Sequence, residues 1–586
     1  MAIRMPTLPI FGTSEAGVED SDNHSWKADI AVGLAVMLGL WLVVILGRRM
    51  SGPITDVVTP ATLSTSPWML PYYAARSLLR MFLALAASTV FALVYGYIAA
   101  RSRRAEKVLV PLLDILQSVP ILGFLSITLT FWLALVPGRE FGVELASIFA
   151  IFTSQAWNMA FAFYQSVKSE PRDYDEVARM LKLTKWQRFW KLDVPYGMIP
   201  LVWNGMMSFG GGWFFLIASE VIAVNNDLYA LPGIGSFVEA ASQRQEMNMI
   251  LLAIAVMILM VVLVNFLFWR PITAWAEKFR TGDTQTTQQR SLVLDLLRRS
   301  VIPASAAAAF APIARGLDKA TRPLGITDRP LRVNIQQRRI GDIIAIVIGG
   351  ALLLFGVIRM LQYLQANAGL GEFIHAFGLG WITFARVAVL LILATLIWVP
   401  VGIWIGLNPK VTRIMQPVVQ VLASFPANFL FPFAVLIMLA WHIPVGIGGI
   451  FLMALGAQWY ILFNVIAGAA AIPGDLKEVA TDLNMSTWQR WRRIYLPAVF
   501  PGWVTGAIAA AGGAWNASII AEVVSYGDTR LVARGLGSYI TEATTVGNMA
   551  ETLIGVIIMS LFVVGLNKIL WRRLYNLAEK RFAIAQ

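Results

Sequence analysis

Two glutamates stand at matching ends of apolar runs, Glu220 in W-F-F-L-I-A-S-E and Glu522 in W-N-A-S-I-I-A-E, with Arg80 and Arg386 in apolar runs upstream of them. An ion in hydrocarbon is costly, so each must find a partner or mark a functional position. Glu220 and Glu522 are read as structural acceptors for backbone N–H groups or a neighbouring base. Arg80 and Arg386 leave their readings open: heads that snorkel to the lipid headgroups, partners of Glu220 and Glu522, or groups that help attract anions at the outer mouth. Other chemistry has little to work with. The chain has no cysteine, and His24, His375 and His442 are too scattered for a metal cluster. No lysine follows a glycine, so there is no phosphate-cradling P-loop.

Two charged islands carry the other recurring chemistry, P-R-D-Y-D-E-V-A-R-M-L-K-L-T-K-W-Q-R-F-W-K-L-D-V-P from Pro171 and P-G-D-L-K-E-V-A-T-D-L-N-M-S-T-W-Q-R-W-R-R-I-Y-L-P from Pro473. Asp173 with Glu176, and Asp475 with Glu478, have the spacing of a capped helix start. Thr184 with Gln187, and Ser486 with Gln489, repeat it, which predicts a second short helix ending at Pro195 or Pro497. The expected shape is helix, tight turn, helix, then an apolar run.

Those runs must position everything else. Of 586 residues 58% are hydrophobic and only 14% charged, against about 25% charged in soluble domains, which predicts an all-α integral membrane protein. Twelve stretches are long enough to cross a bilayer: near 29–47, 76–100, 108–136, 142–167, 195–224 and 247–271, then 340–364, 383–407, 412–441, 444–469, 497–524 and 548–571. The second six copy the first. The offset is 306 for Ser77 and Thr383, Arg80 and Arg386, and Pro120 and Pro426, then 302 for Trp157 and Trp459, Glu176 and Glu478, Trp213 and Trp515, and Gly233 and Gly535. A four-residue gap reconciles the two offsets, so the chain is an internal duplication. Six spans per copy is even, which makes the copies parallel repeats.

The net charge of +13 lies in tails and between runs, a pattern that orients a membrane protein and does not suit a nucleic-acid surface. It places both islands in the cytoplasm; Arg48 and Arg49 fall on the other side without an explanation. The expected divisions are a cytoplasmic N-terminal tail over 1–28, membrane domains over 29–280 and 340–586, and a polar cytoplasmic linker over 281–339. Within that linker 291–301 is expected as an amphipathic helix and the rest as a flexible tether. Prolines inside the third runs, in Q-S-V-P and A-S-F-P, are expected to break those helices. Broken spans often face a substrate, so Gln117, Ser118, Pro120, Ser424, Pro426 and Asn428 are candidate pathway residues, with Trp213 and Trp515 after the glycines of the fifth runs. Gly233 and Gly535 are expected as turns in short outer loops.

E-V-A, a turn, W-Q-R and then V-P or L-P resembles the cytoplasmic docking loop of binding-protein-dependent ABC importer permeases, in its flanks most like the nitrate, sulfonate, taurine and bicarbonate branch. The resemblance implies two type I permease domains fused in tandem in a bacterial-type inner membrane. Two separate ATPase subunits would hold ATP and magnesium, an extracytoplasmic binding protein would deliver a small anion, and this chain would bind no cofactor and catalyse nothing. It also implies that Glu176 and Glu478 meet basic residues of the ATPase, that Ala178 and Ala480 permit close packing, and that Trp186 and Trp488 supply apolar contact, with Gln187, Arg188, Gln489 and Arg490 in the same face. An anionic cargo would be repelled by Glu220 and Glu522, which favours their structural reading. The family usually has glycine at the turn where this chain has Lys182 and Asn484; lysine tolerates the left-handed region poorly, so the first copy is expected to turn differently. The competing reading is an ion-coupled secondary transporter with two six-helix halves, against which stand spans almost bare of mid-membrane ions.

Overall fold

The computed structural model of the chain describes residues 25–52, 59–117, 119–224, 227–279, 291–321 and 335–581. Residues 1–24 of the expected tail and the candidate Ser118 lie outside these. The first half runs α1 (Trp26–Met50), α2 (Leu70–Arg101), α3 (Arg103–Leu116), α4 (Leu125–Leu135), α5 (Glu140–Lys168), α6 (Arg172–Met180), α7 (Lys185–Arg188) and α8 (Val194–Ser219). A hairpin of β1 (Val221–Val224) and β2 (Asp227–Ala230) precedes α9 (Ile234–Gln243), α10 (Met247–Val264) and α11 (Arg270–Ala276). After α12 (Leu292–Arg298) and α13 (Ile302–Thr321), the second half repeats the order: α14 (Ile335–Asn367), α15 (Gly369–Leu407), α16 (Pro409–Ser424), α17 (Phe431–Ala440), α18 (Val445–Ala470), α19 (Gly474–Asp482), α20 (Thr487–Arg490) and α21 (Leu496–Ala521). Then come β3 (Val523–Tyr526), β4 (Thr529–Val532), α22 (Leu536–Val546), α23 (Met549–Leu566) and α24 (Arg572–Arg581).

Among the described residues ten helices are long and apolar enough to cross a bilayer, where the sequence suggests twelve. The difference is the third span of each half. Its proline cannot donate and forces the preceding residue out of the helical region: Phe425, before Pro426, has φ −74° and ψ 126°. The 409–424 helix therefore meets the 427–440 segment at 80°, which as one broken span brings the count to eleven. In the first half a short 3-10 turn, Leu122–Phe124, separates α3 from α4. The hairpins are a second difference from the all-α expectation, each a four-pair antiparallel ladder closing a loop between the fifth helix and α9 or α22.

Irregular backbone at membrane depth survives only when buried in protein or lining a cavity, and each break is buried in the opposite half. Ile121, Leu122, Leu125 and Leu129 join the core built mostly from the second half. Phe429 joins that of the first. Around this centre, small residues let helices cross closely: a Cβ on Gly402 would lie 2.7 Å from Val465 Cγ1, and one on Gly96 would lie 3.0 Å from the Ala160 carbonyl oxygen. Helix α1 lies outside, with Leu34, Leu38, Leu40 and Trp41 exposed, a surface suited to lipid. Arg49, at its end, stacks its guanidinium 5.2 Å from the centre of the Tyr72 ring, which accounts for a charge the orientation pattern left unexplained.

Over 291–321 the linker is helical, where a flexible tether is expected beyond 301; residues 281–290 and 322–334 of the expected tether lie outside the described residues. Helix α12 starts where Ser291 Oγ accepts from the Leu294 N–H at 3.3 Å. Beyond it the alanine run of Ile302–Thr321 forms α13, as alanine's helix propensity favours. Asp29 anchors the junction, its Oδ1 accepting from Ser300 Oγ at 2.9 Å and from the Val301 N–H at 2.8 Å.

A larger side chain at a close helix crossing must push helices apart. A Cβ on Gly406 would lie 2.5 Å from Ala469 Cβ and 2.7 Å from the Ile466 carbonyl oxygen. Gly406→Leu is expected to cost about 1–3 kcal/mol, read as a lower thermal midpoint of the purified chain in detergent. Gly356, with nothing within 4 Å of its Cβ position, is the control; an equal fall for Gly356→Leu contradicts the packing account.

Candidate coupling site

Each charged island folds as a helical knuckle, and the two share their backbone bonds. In the first, the Leu183 N–H bonds the Ala178 carbonyl and the Lys182 N–H bonds the Arg179 carbonyl, both at 3.0 Å. In the second, the Met485 N–H bonds the Ala480 carbonyl at 3.1 Å and the Asn484 N–H bonds the Thr481 carbonyl at 2.9 Å. This is the Schellman closure, which requires a left-handed residue after the helix. Lys182 has φ 47° and Asn484 φ 46°, so the copies turn alike and the expected difference is absent. The two bonds that close the first turn outweigh the strain on Lys182.

Two local expectations are corrected. Helices α6 and α19 start at Arg172 and Gly474 behind Pro171 and Pro473, with no side-chain cap from Asp173 or Asp475. Proline's fixed φ already sets the helix entry, and the aspartates sit in the first turn, where they complement the helix dipole. The capping boxes at Thr184–Gln187 and Ser486–Gln489 are present, Gln187 N–H to Thr184 Oγ1 at 3.1 Å and Gln489 N–H to Ser486 Oγ at 3.3 Å. The second short helix does not end at the proline. It widens into π turns over Phe189–Asp193 and Trp491–Tyr495, which admit Pro195 and Pro497, and continues as α8 or α21.

Outward from this scaffold, Glu176 and Glu478 are exposed, with Met180 and Leu483 beside them. Trp488 is 70% exposed, whereas Trp186 is half-buried in T-shaped contact with Trp190 at 5.6 Å. Ala178 and Ala480 are buried within the chain, where their carbonyls accept the Schellman bonds. Gln187 also donates from Nε2 to Asp318 Oδ2 of α13 at 3.5 Å.

Arg188 is turned inward. It pairs with Asp175, with Glu170 at 3.2 Å and with Asp193 at 3.5 Å, while Arg101 from the end of α2 pairs with the same Glu170 and Asp193. Burial, and next the Glu170 carboxylate, hold the phenol of Tyr174 above its usual value. Among the described residues the second knuckle has no such network: Leu407, Ile472 and Tyr495 stand at the positions of Arg101, Glu170 and Asp193. Arg490 instead donates from Nε to the Met485 carbonyl at 3.0 Å.

At the opposite end of the bundle the ions are paired. Arg80, fully buried, donates to Glu220 Oε1 at 2.7 Å and grips Glu144 with Nε at 2.5 Å and Nη2 at 2.8 Å. Glu220 also accepts from Ser77 Oγ at 2.5 Å and from the Gly235 N–H at 2.6 Å. Arg386 and Thr383 donate to Glu522 Oε1 at 2.7 and 2.8 Å. This is ion-pair geometry, not that of heads reaching for lipid headgroups. Gly233 and Gly535 have extended backbones and cap α9 and α22. A Cβ on either would land within the Glu220 or Glu522 carboxylate, so close approach requires these glycines. Sequence reasoning passed over Arg76 and Glu144, which pair directly; Glu144 is a carboxylate inside a run read as apolar, the signal used for Glu220.

The candidates at the breaks divide. Trp213, with Met206, Gly210, Gln420 and Ser424, lines a small cavity between the halves. Gln420 Nε2 donates across it to Met206 Sδ at 3.2 Å. Pro120 and Pro426 are buried at the breaks, Gln117 ends α3 in an exposed position, and Asn428 is half-buried. Trp515 is sealed 5.7 Å from Phe562 and lines no part of that cavity. Asn516, also unforeseen, accepts the Ile121 N–H at 2.9 Å across the halves.

A family described as binding-protein-dependent transport system inner membrane component matches this duplication twice, over residues 92–270 and 398–583. The chain belongs to that family. Each match takes in a broken third span, a knuckle and a glutamate-ended fifth helix, so the repeated unit is the family's. Similar sequences include the bicarbonate transport system permease protein CmpB of Synechococcus elongatus, 33% identical over 183 residues, 31% of this chain and 63% of that protein. The nitrate import permease protein NrtB of Leptolyngbya laminosa is 30% identical over 201 residues, 32% of this chain and 66% of that one. The glycine betaine/proline betaine transport system permease protein ProW of Escherichia coli is 26% identical over 190 residues, 32% of this chain and 51% of that one. The chain thus spans less than two thirds of these relatives' length.

The strained turn and the buried pair give two tests. Lys182→Gly is expected to recover about 1 kcal/mol of left-handed strain, seen as slower hydrogen exchange at the Leu183 amide; faster exchange contradicts it. Arg80→Met leaves Glu220 and Glu144 short of a partner and is expected to cost about 3–5 kcal/mol, seen as lost folded yield, with Arg80→Lys recovering part. Undiminished yield for Arg80→Met removes the pair from the stability account.

Proposed function

We propose that the chain is the fused permease of an ATP-driven importer, its halves enclosing the path of a small anion. The observation that carries this reading is the pair of matched knuckles, each presenting an exposed glutamate and exposed apolar side chains on an identically closed turn. Two ATPase subunits, holding ATP and magnesium, dock one beneath each knuckle on the cytoplasmic side. A binding protein delivers cargo at the opposite face. The nitrate and bicarbonate named for two relatives set the class of cargo, a small oxyanion.

The geometry supplies a lever. In each half the knuckle's second helix runs without interruption into the fifth membrane helix, and α8 carries Met206, Gly210 and Trp213 to the broken span of the other half. A push on the knuckle therefore reaches the seam between the halves along one rigid rod. ATP-driven closure of the ATPases would favour one arrangement of that seam over the other, as a shift between two states requires. Ion-coupled transport has no use for such a pair of docking knuckles.

The double variant Glu176→Arg/Glu478→Arg is expected to insert normally while co-purifying less than a tenth of the ATPase retained by the wild type, with a matching loss of uptake. Normal ATP-driven uptake by that variant overturns the docking assignment. Uptake by vesicles holding only this chain and a proton gradient overturns the importer reading.

A further inference from the structure

The hairpins reach across the seam between the halves. Ile222 of the β1–β2 hairpin belongs to the core built mostly from the second half, and Tyr229 packs against it. Tyr526, at the tip of the β3–β4 hairpin, packs against the core of the first half as well as its own. The hairpins follow α8 and α21, so they stand a full membrane helix away from the knuckles. There the second-half hairpin is bonded to the first half: the Gly527 N–H donates to the Ser242 carbonyl of α9 at 3.0 Å. Gly527 also lies against the Gln245 side chain, since a Cβ built on it would fall 2.2 Å from Gln245 Nε2 and 2.9 Å from Cγ. The turn of the other hairpin, 225–226, lies outside the described residues.

Gln245 is an unexpected residue at this point. Helices α9 and α22 end in the same closure. The Gln245 N–H bonds the Ser242 carbonyl at 3.1 Å and the Glu246 N–H bonds the Ala241 carbonyl at 2.9 Å, as the Gly547 N–H bonds Thr544 at 3.1 Å and the Asn548 N–H bonds Ala543 at 2.8 Å. Such a closure needs a left-handed residue, and the second half supplies glycine, Gly547 at φ 78°. The first half holds Gln245 there at φ 59°, where a residue with a Cβ is strained. A glycine would close the helix with less strain but would leave Gly527 only its backbone bond. The Ser242 carbonyl thus serves both halves, one lone pair taking the Gln245 N–H and the other the Gly527 N–H.

We propose that Gln245 and Gly527 form a latch that holds the seam between the halves shut at the end opposite the knuckles, and that this latch opens when solute enters there. The ion pairs are not what parts: Arg80 with Glu220 and Arg386 with Glu522 each lie within one half, so each hairpin is rooted in its own half and reaches the other only with its outer part. Separating the halves at this end therefore breaks the contact of Gly527 with Ser242 and Gln245 and leaves both pairs whole. The lever reaches the latch. Glu220, at the end of α8, accepts the Gly235 N–H at the start of α9 at 2.6 Å, so the rod that begins at the first knuckle carries α9, and with it Gln245, at its far end. A movement of that rod shifts Gln245 against the hairpin of the other half. The inference rests on the transport reading only for what the opening admits.

The chain has no cysteine, so introduced thiols report without background. In the full-length double variant Gln245→Cys/Gly527→Cys the two Cβ atoms are no more than about 4.5 Å apart, within disulfide reach. Oxidation in membranes is expected to join them, read by mass spectrometry of the linked peptides; no linked peptide overturns the contact. The second arm uses sealed vesicles that hold the chain without ATPase, hairpin face outward, with Ser424→Cys in the cavity between the halves and a membrane-impermeant maleimide outside. Adding Gln245→Gly is expected to speed labelling roughly fivefold, the population shift that follows the loss of one contact worth a net hydrogen bond. Its thermal midpoint is expected to be no lower, because glycine suits the left-handed turn. Unchanged labelling, or faster labelling with a lower midpoint, overturns the latch, and this arm decides should the double variant not fold. In the assembled transporter the linked form is expected to lose uptake and to regain it with reductant. Undiminished uptake by the linked form overturns the latch, whereas absence of ATP-driven uptake in every form, wild type included, overturns the transport reading alone.

Discussion

In a bilayer every buried charge must be matched from within the protein, and nowhere is that demand met more fully here than where Arg80 meets Glu220 and Arg386 meets Glu522. Each pair fastens the second membrane helix to the end of the fifth and to the chain that returns behind it. Glu220 bonds a hydroxyl and a backbone N–H besides its arginine, and Glu522 does the same through Thr383 and the Ser538 N–H at 3.0 Å. Donors of this kind offset the cost of burying a carboxylate, and the capping glycines admit it. The hairpins follow, because the Leu231 and Ala533 N–H groups return to the Glu220 and Glu522 carbonyls at 2.8 Å.

A second demand, that no irregular backbone meet lipid, shapes the centre. The proline breaks of the third spans lie in each other's halves, so neither half completes its core alone. An interface of this kind can rearrange only by moving parts of both halves together. Small residues at the contact keep it close without interlocking: a Cβ on Gly210 would lie 2.7 Å from Ser424 Oγ. A fixed clamp at one end and a close seam in the middle leave the knuckled end as the natural place to apply force.

Much of this was legible in the sequence because duplication doubles each signal. The register of 306 then 302 located the spans, the capping boxes located the second knuckle helices, and the paired prolines located the breaks. The misses have physical causes. Asp173 and Asp475 have cap spacing, but the preceding proline had already set the helix start. Pro195 and Pro497 looked like helix ends because the π turns that accommodate them leave no mark in residue type. The Lys182 turn was misjudged by weighing one residue's strain without the bonds it closes. Arg76, Glu144 and the Arg101–Glu170–Asp193 network escaped for a different reason: they occur in one copy only, and attention to what repeats hides what does not.

The unrepeated features divide the molecule by role. At the knuckles the backbone is held constant: the two share turn, closure and capping box although the ions beneath the first give way to Leu407, Ile472 and Tyr495 beneath the second. The supports differ and the presented shape does not. That is the pattern expected when the shape, not the means of holding it, is what an outside body grips. At the far end the reverse holds, since the arginine–glutamate pair persists while Arg76, Glu140 and Glu144 give way to Ile382, His442 and Gly446. A clamp needs only the pair, so the residues around it are free to differ between the halves. Fusion of the halves in one polypeptide makes such a division stable, because each first half is always joined to a second.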